Sequence, residues 1–554
     1  MAMSNIHKLF CVRELVDNIL QYLRYEHDFR ALARIARTCK TLEGPSLDLL
    51  WYHQDNLVPL LRIMSNIKFS GGWGRSTDED EPFRTDLSDL RCIGPYSDLD
   101  RNRLKKYAYR IRKFSPHSGL TQGAVSYRNS INIHAIESLL DCLGDNPFPE
   151  IRVICWPIHA VRATDYTLVK HFLGPKLTSI TFATSHNADA LTNSVFEEMQ
   201  KHSPLLQELY IFTFRTPPLA FRAIQTFRDL QMIELPPQAD FTFWLSLSLL
   251  PRLRWIKCWG VRPSPSCSLA TGSSATYDIV NKPFPSLKTL EFQGDFPQCA
   301  WIFMFYKLRF VSSLSLQIDT YSFSSSKRII KDRGSSIEKI DLFGAITQQF
   351  SHNLTRIELN IPTNLSLRIT PAERGVLSSL TEISQTVIQG FASRFPNMSE
   401  FLLDGYWIFD LTDSILEELA SSWPQLKYLS LDPTLGKWTK GPFDSSAQPT
   451  SACLESFARH CPHLEQLAIY IGSIGSESYP HIDSSSSSGA LSLPSLKLLE
   501  VGSSPNQNPK AFVEVLSSLF PNLANLSYWT ASSGNAGWDA TYELLFPSVS
   551  EEEE

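Results

Sequence analysis

The sequence predicts an α/β chain in which short parallel strands line one face and helices return along the other, preceded by a small all-helical unit. Three observations predict it. A nine-residue phrase recurs down most of the chain, apolar residues at 3.6-residue spacing fill stretches between its copies, and the first sixty residues show helical spacing without the phrase. At 554 residues the chain exceeds what one compact core holds, so an array growing along one axis is the simpler reading.

The first helix is read from Leu15, Ile19 and Leu23 at i, i+4, i+8, with Val16 and Leu20 beside them. Asp28 is placed to cap a second helix carrying Leu32, Ile35, Ala36 and Cys39. Gly44-Pro45 is expected to end that helix and to open a third turn, where Leu47, Leu50 and Trp51 align. So small a unit buries little surface alone, and its apolar stripes point to a partner that completes the core.

Residues 11–51 resemble an F-box: Glu14-Leu15 opens the first helix, Ala33 to Lys40 reads Ala-Arg-Ile-Ala-Arg-Thr-Cys-Lys, and Leu47-Asp48-x-Leu50-Trp51 closes it. The resemblance implies docking on a Skp-family adaptor through Leu15, Ile19, Leu23, Leu32, Ile35, Leu47, Leu50 and Trp51. Cys11 and Val12 stand where the family carries Leu-Pro. This leaves open an alternative, a non-ligase scaffold with a degenerate F-box.

Residues 5–65 are thus assigned to the helical unit, and 66–145 to a linker with Gly71-Gly72 and the acidic run Asp78 to Glu81. Within the linker, 101–113 reads as a basic amphipathic helix, with Leu104, Tyr107, Ala108 and Ile111 on one face. It is expected to dock by that face onto the first repeat.

From 146 to 546 the recurring phrase is Pro, one residue, then apolar-x-x-apolar-x-apolar. Strong copies lie at 203–211, 250–258, 284–292, 395–403, 423–431, 461–469, 493–501 and 520–528; weaker ones start at Ile151, Leu177, Leu230, Val311 and Leu354. Most of the thirteen anchors are 23 to 34 residues apart; gaps of 43 and 44 flank Leu354, with room for a degenerate repeat. Apolar-x-apolar is strand alternation, and one such strand cannot bury its face alone, so parallel copies must stack. Helices are expected from Ile415, Leu416, Leu419 and Trp423 after Asp413, from Leu454, Phe457 and Ala458, and from Phe512, Val515, Leu516 and Leu519 after Pro509. The Pro heading each phrase ends the helix before it. This pattern resembles the irregular, helix-backed leucine-rich repeats over about 400 residues. An F-box followed by such repeats is a combination abundant in fungi, and it implies a substrate receptor of an SCF-type ubiquitin ligase, joined to a cullin-RING ligase through the adaptor.

Ser/Pro/Gly-rich stretches at 262–283, 322–336, 437–452 and 472–492 read as loops between repeats, and 547–554 as an acidic tail. Lys+Arg total 51 against 57 Asp+Glu, a net charge of -6, of which the run Glu551 to Glu554 supplies four acids. That balance argues against a general nucleic-acid binder. No apolar stretch is long enough for a membrane span, and no leader is read at the start, so a reduced, cytoplasmic and/or nuclear setting is expected.

No phosphate-cradling Gly loop or nucleophile elbow occurs, and no enzyme, cofactor or metal is expected. His460, Cys461 and His463 form the most tempting metal cluster. Yet Cys461 fills the slot before Pro that holds Phe284, Phe395, Trp423 and Phe520 elsewhere, a structural place. The side chains expected on the concave sheet face include Tyr210, Phe212, Trp259, Glu291, Glu358, Asp404, Asp432, Tyr470 and Trp529. With Glu234 and Glu500, six acids there face one cation, Lys257. The expected ligand is a protein target with a basic segment.

Overall fold

A computed structural model describes residues 13–38, 40–65, 67–69, 90–92, 97–115, 133–156, 168–183, 189–212, 223–235, 241–259, 283–294, 299, 303, 306–318, 342–361, 382–405, 407–409, 411–431, 448–472, 492–528 and 536–547. Cys11, Val12, Cys39, Asp432, Trp529, the acidic run 78–81, the tail and most of the Ser/Pro-rich insertions lie outside them. The chain forms two compact units, Met1–Leu253 and Arg254–Glu554.

Helices α1 (Arg13–Tyr25), α2 (Phe29–Ala36) and α3 (Lys40–Trp51) open the first unit. Asp28 caps α2, its Oδ1 accepting from the Ala31 N–H at 2.8 Å. Val16, Leu20, Leu32 and Leu42 form the small core, with Leu23, Ile35, Leu49 and Leu50 packed against it. The expected break at Gly44-Pro45 is absent: α3 starts at Lys40 and runs through Pro45. Pro45 is only the sixth residue, so few intrahelical bonds are forfeited, while Leu42, Ser46 and Trp51 bury on the inner side and hold the helix together.

The repeats begin earlier than residue 146. His53–Gln54, directly after α3, pairs in parallel with Lys113–Phe114, which pairs with Val153–Cys155. Ser179–Ala183, Glu208–Phe212 and Met232–Leu235 continue the series. Each step repeats one turn, in which a single carbonyl accepts two successive N–H groups of the next repeat: Tyr52 from Arg112 and Lys113, Arg112 from Arg152 and Val153, Arg152 from Thr178 and Ser179. The span read as a linker therefore supplies a strand. It was illegible because the first two strands are two residues long, and Gln54 fills an apolar place. Gln54 is buried there, its Nε2 donating to the His53 carbonyl at 2.9 Å.

Helix α4 (Asp98–Ala108) is the basic helix, and it buries Leu104 and Ala108, with Ile111 just beyond. Its bases reach back to α3. Lys106 lies 3.1 Å from Glu43, Arg110 pairs with Asp48 and donates to the Gly44 carbonyl at 3.1 Å, and Tyr107 packs on Trp51 with ring centroids 4.8 Å apart. Asp100, almost fully buried, accepts from the Ser65 and Ser97 hydroxyls at 2.7 Å each.

In the second unit Trp255–Trp259, Thr289–Gly294, Ser313–Ile318, Arg356–Ile361, Glu400–Gly405, Tyr428–Leu431, Gln466–Ala468, Leu498–Gly502 and Asn525–Tyr528 pair in parallel, in chain order. Buried and half-buried residues alternate along most of these strands, as in Thr289–Gly294, Arg356–Ile361 and Glu400–Gly405, so one face meets the core and the other is open. Ser313–Ile318 pairs directly with Arg356–Ile361, and that with Glu400–Gly405, so the 43- and 44-residue gaps hide no further strand in this sheet. Helices Asp413–Ser422, Ala452–His460 and Pro509–Leu519 stand where the periodicity placed them. The slot before Pro has one conformation in four repeats, where Phe395, Trp423, Cys461 and Phe520 are buried at φ −116 to −128° and ψ 64 to 70°; Phe284 fills the same slot, also buried, at φ 55°. Pro after that slot disfavours helix in it, so in these four repeats one turn serves Phe, Trp and Cys alike.

Candidate protein-binding surfaces

Three surfaces emerge, two in the first unit and one in the second. On α1, Val16 and Leu20 face the small core, while Leu15, Ile19 and Tyr22 leave 42, 48 and 62% of their surface open. Tyr25 and Phe29 are also exposed. Spacing i, i+4, i+7 aligns the first three, giving an apolar stripe that stays open among the described residues. Of the residues expected to meet an adaptor, Leu15 and Ile19 lie on this surface. Leu23, Ile35, Leu47 and Leu50 are half-buried. Leu32 and Trp51 are corrected: Leu32 is wholly inside the helical core, and Trp51 is covered by Tyr107 of α4. Periodicity marks an apolar face without saying whether it points in or out. Tyr22 and Tyr25 went unread because they fall outside the aliphatic spacing.

The open sheet face of the first unit carries Tyr210 and Phe212, both half-buried. The Tyr210 hydroxyl is 3.5 Å from Glu208, and burial, then the Glu208 charge, pushes its pKa up. Glu234 is buried rather than presented.

The second unit's open face is richer. Trp259, Glu291, Glu358 and Asp404 lie on it, half-buried; Tyr470, also half-buried, lies two residues past the end of its strand at Ala468. The expectation left out a row, the first position of each strand, which adds the cation Arg356 and also the acids Glu208 and Glu400, so the excess of acid persists. Arg356 occupies that row and pairs with Glu358 on its own strand and with Glu400 on the next, 2.9 Å to each. In the same row Trp255 donates its indole N–H to Glu291 at 2.9 Å. Lys257 lies over the Trp259 ring, 4.6 Å from its centroid. Asp404 differs: it accepts from the Ser430 hydroxyl at 2.7 Å, and no cation among the described residues pairs with it. Burial pushes its carboxyl pKa up, the Ser430 bond opposes this, and the Glu358 charge adds to it.

Cys461 is buried, with Sγ 3.4 Å from the Ala420 carbonyl and 3.6 Å from that of Trp423, and burial pushes its thiol up to about 12. That is a packing role. Among the described residues no group of three His, Cys, Asp or Glu side chains is placed to hold a metal ion. Among them too, no helix is long and apolar enough to cross a membrane.

The fold class follows from the recurring turn and register: in both units these are leucine-rich repeats, with three helices ahead of them. No family model matches the chain, and no curated protein does. Among solved structures it is similar to a leucine-rich-repeat protein of Leptospira interrogans, at 13% identity and TM-score 0.33, covering 79% of this chain and 88% of that one. An internalin of Listeria monocytogenes is similar at 12% identity and TM-score 0.24, covering 61% and 64%.

Proposed function

We propose that the chain is the substrate-recognition subunit of an SCF-type ubiquitin ligase. Its N-terminal helices receive a Skp-family adaptor and so a cullin-RING ligase, and the open faces of its repeats hold a protein target with a basic segment. The supporting observation is the exposed stripe Leu15, Ile19 and Tyr22, set opposite the buried Val16 and Leu20 on one helix. Water-facing apolar side chains in a row are costly unless another surface covers them. The mechanism is proximity: holding a target near a charged thioester raises the effective concentration of its lysines, with no catalytic group from this chain. The place of action in this reading is the cytoplasm or nucleus.

Co-purification of the full chain with a Skp-family adaptor tests it. Wild type should retain the adaptor, and Leu15→Asp/Ile19→Asp, which leaves the buried core untouched, should lose it. A folded wild-type chain that captures no adaptor would instead make it a scaffold outside any ligase.

A further inference from the structure

The strands Arg356–Ile361 and Glu400–Gly405 are in direct register, pairing Arg356 with Glu400, Glu358 with Leu402 and Asn360 with Asp404. On the open face these residues form two adjoining squares. In the first, Glu358 and Glu400 are diagonal neighbours and Arg356 fills a corner between them, its Nη2 on Glu358 and its Nη1 on Glu400. In the second, Glu358 and Asp404 are the diagonal acids, about 8 Å apart along the sheet. The corners between them hold Leu402 and Asn360, neither of them a cation.

The second square thus repeats the acid pair of the first without its guanidinium. Leu402, the corner that both squares share, gives it an apolar floor, flanked across the next strand by Ser430, whose hydroxyl already steadies Asp404. Only the Oε2 of Glu358 is held by Arg356. Counting Glu358, Glu400 and Asp404 against Arg356, the two squares carry a net charge of about -2 at neutral pH. An ammonium is a point charge that satisfies one acid, whereas a planar guanidinium lying on Leu402 spans both, as Arg356 does next door.

We propose that this square is an arginine-binding subsite: the target, lying across the open face, lays an arginine side chain on Leu402 and bridges Glu358 and Asp404. This rests on the reading that the open face holds the target, and it deepens that reading by naming the side chain recognised.

The probe is a fluorescein-labelled hexa-arginine peptide, titrated into the full chain at low salt, with hexalysine and hexacitrulline peptides beside it. Hexa-arginine should bind at least tenfold more tightly than hexalysine, and hexacitrulline should not bind. Asp404→Asn should weaken hexa-arginine at least tenfold, while Glu455→Gln, the same charge change on a helix, should leave it unaltered. Leu402→Arg supplies the guanidinium from within; it should keep the fold, shown by an undiminished urea midpoint, and abolish peptide binding. Equal binding of the arginine and lysine peptides, equal effects of Asp404→Asn and Glu455→Gln, or full binding by a folded Leu402→Arg would each overturn the proposal. Adaptor capture is read on the same preparations: peptide binding without capture removes the ligase reading alone, and capture without peptide selectivity removes this one alone.

Discussion

Arg356 and Glu400 begin neighbouring strands in direct register, and the guanidinium Nη1 of one sits 2.9 Å from the carboxylate Oε2 of the other. The same side chain holds Glu358, so a single cation organises the acids at the centre of the open face.

Removing it should cost more than a lone surface pair. Arg356→Ala leaves two half-buried carboxylates facing each other and is expected to destabilise the second unit by about 1 kcal/mol. Adding Glu400→Gln to that variant should recover part of the loss. A double-mutant cycle by urea denaturation, with high salt as a further arm, measures the coupling.

Asp404 should behave in the opposite sense. Its folded pKa is raised by burial, so the charged carboxylate disfavours folding above that pKa, and the cost is relieved as pH falls through it. Asp404→Asn is therefore expected to raise the urea midpoint at neutral pH, with the gain shrinking on acidification. A gain in stability alongside the tenfold loss of hexa-arginine binding would mark a residue kept for recognition.

Asp100 ties α4 to Ser65. The Ser97 hydroxyl, then that of Ser65, holds its carboxyl below the usual range. A depressed folded pKa gives a stabilisation that is full above the unfolded value, roughly 3.9, and that is lost as pH falls below it. Asp100→Ala should cost about 1–3 kcal/mol at neutral pH, because it removes the hydrogen bonds that a buried carboxylate accepts from two hydroxyls. Its melting temperature should also vary less than that of wild type between neutral and acid pH.

Trp423 is buried, with no partner for its indole N–H among the described residues, in a slot that holds Phe395 and Phe520 in other repeats. Trp423→Phe removes an unsatisfied donor and should be close to neutral, whereas Trp423→Ala opens a cavity and should cost about 3–5 kcal/mol. Equal losses in the two variants would show that the donor has a partner after all.

Legibility in the sequence followed locality. Each of the thirteen anchors, from Ile151 to Leu523, lies two residues before an observed strand, because alternation is a property of consecutive residues. The strands at His53 and Lys113 escaped notice because two residues cannot display a period. The helices after Asp413 and Pro509 were likewise readable from spacing and caps.

The sequence by itself determined the repeat, its strand-and-helix composition and an apolar face on each N-terminal helix. Only the tertiary structure decided which of those faces is open, placing Leu32 inside and Ile19 outside. It also decided that Arg356, 44 residues from Glu400, neutralises part of the acid surface while Asp404 pairs with no cation among the described residues. The physical reason is that a period fixes which way a side chain turns from its own strand. Its neighbours across the sheet are set by the pairing of strands far apart in the chain, and the charge on a surface is the property of those neighbours.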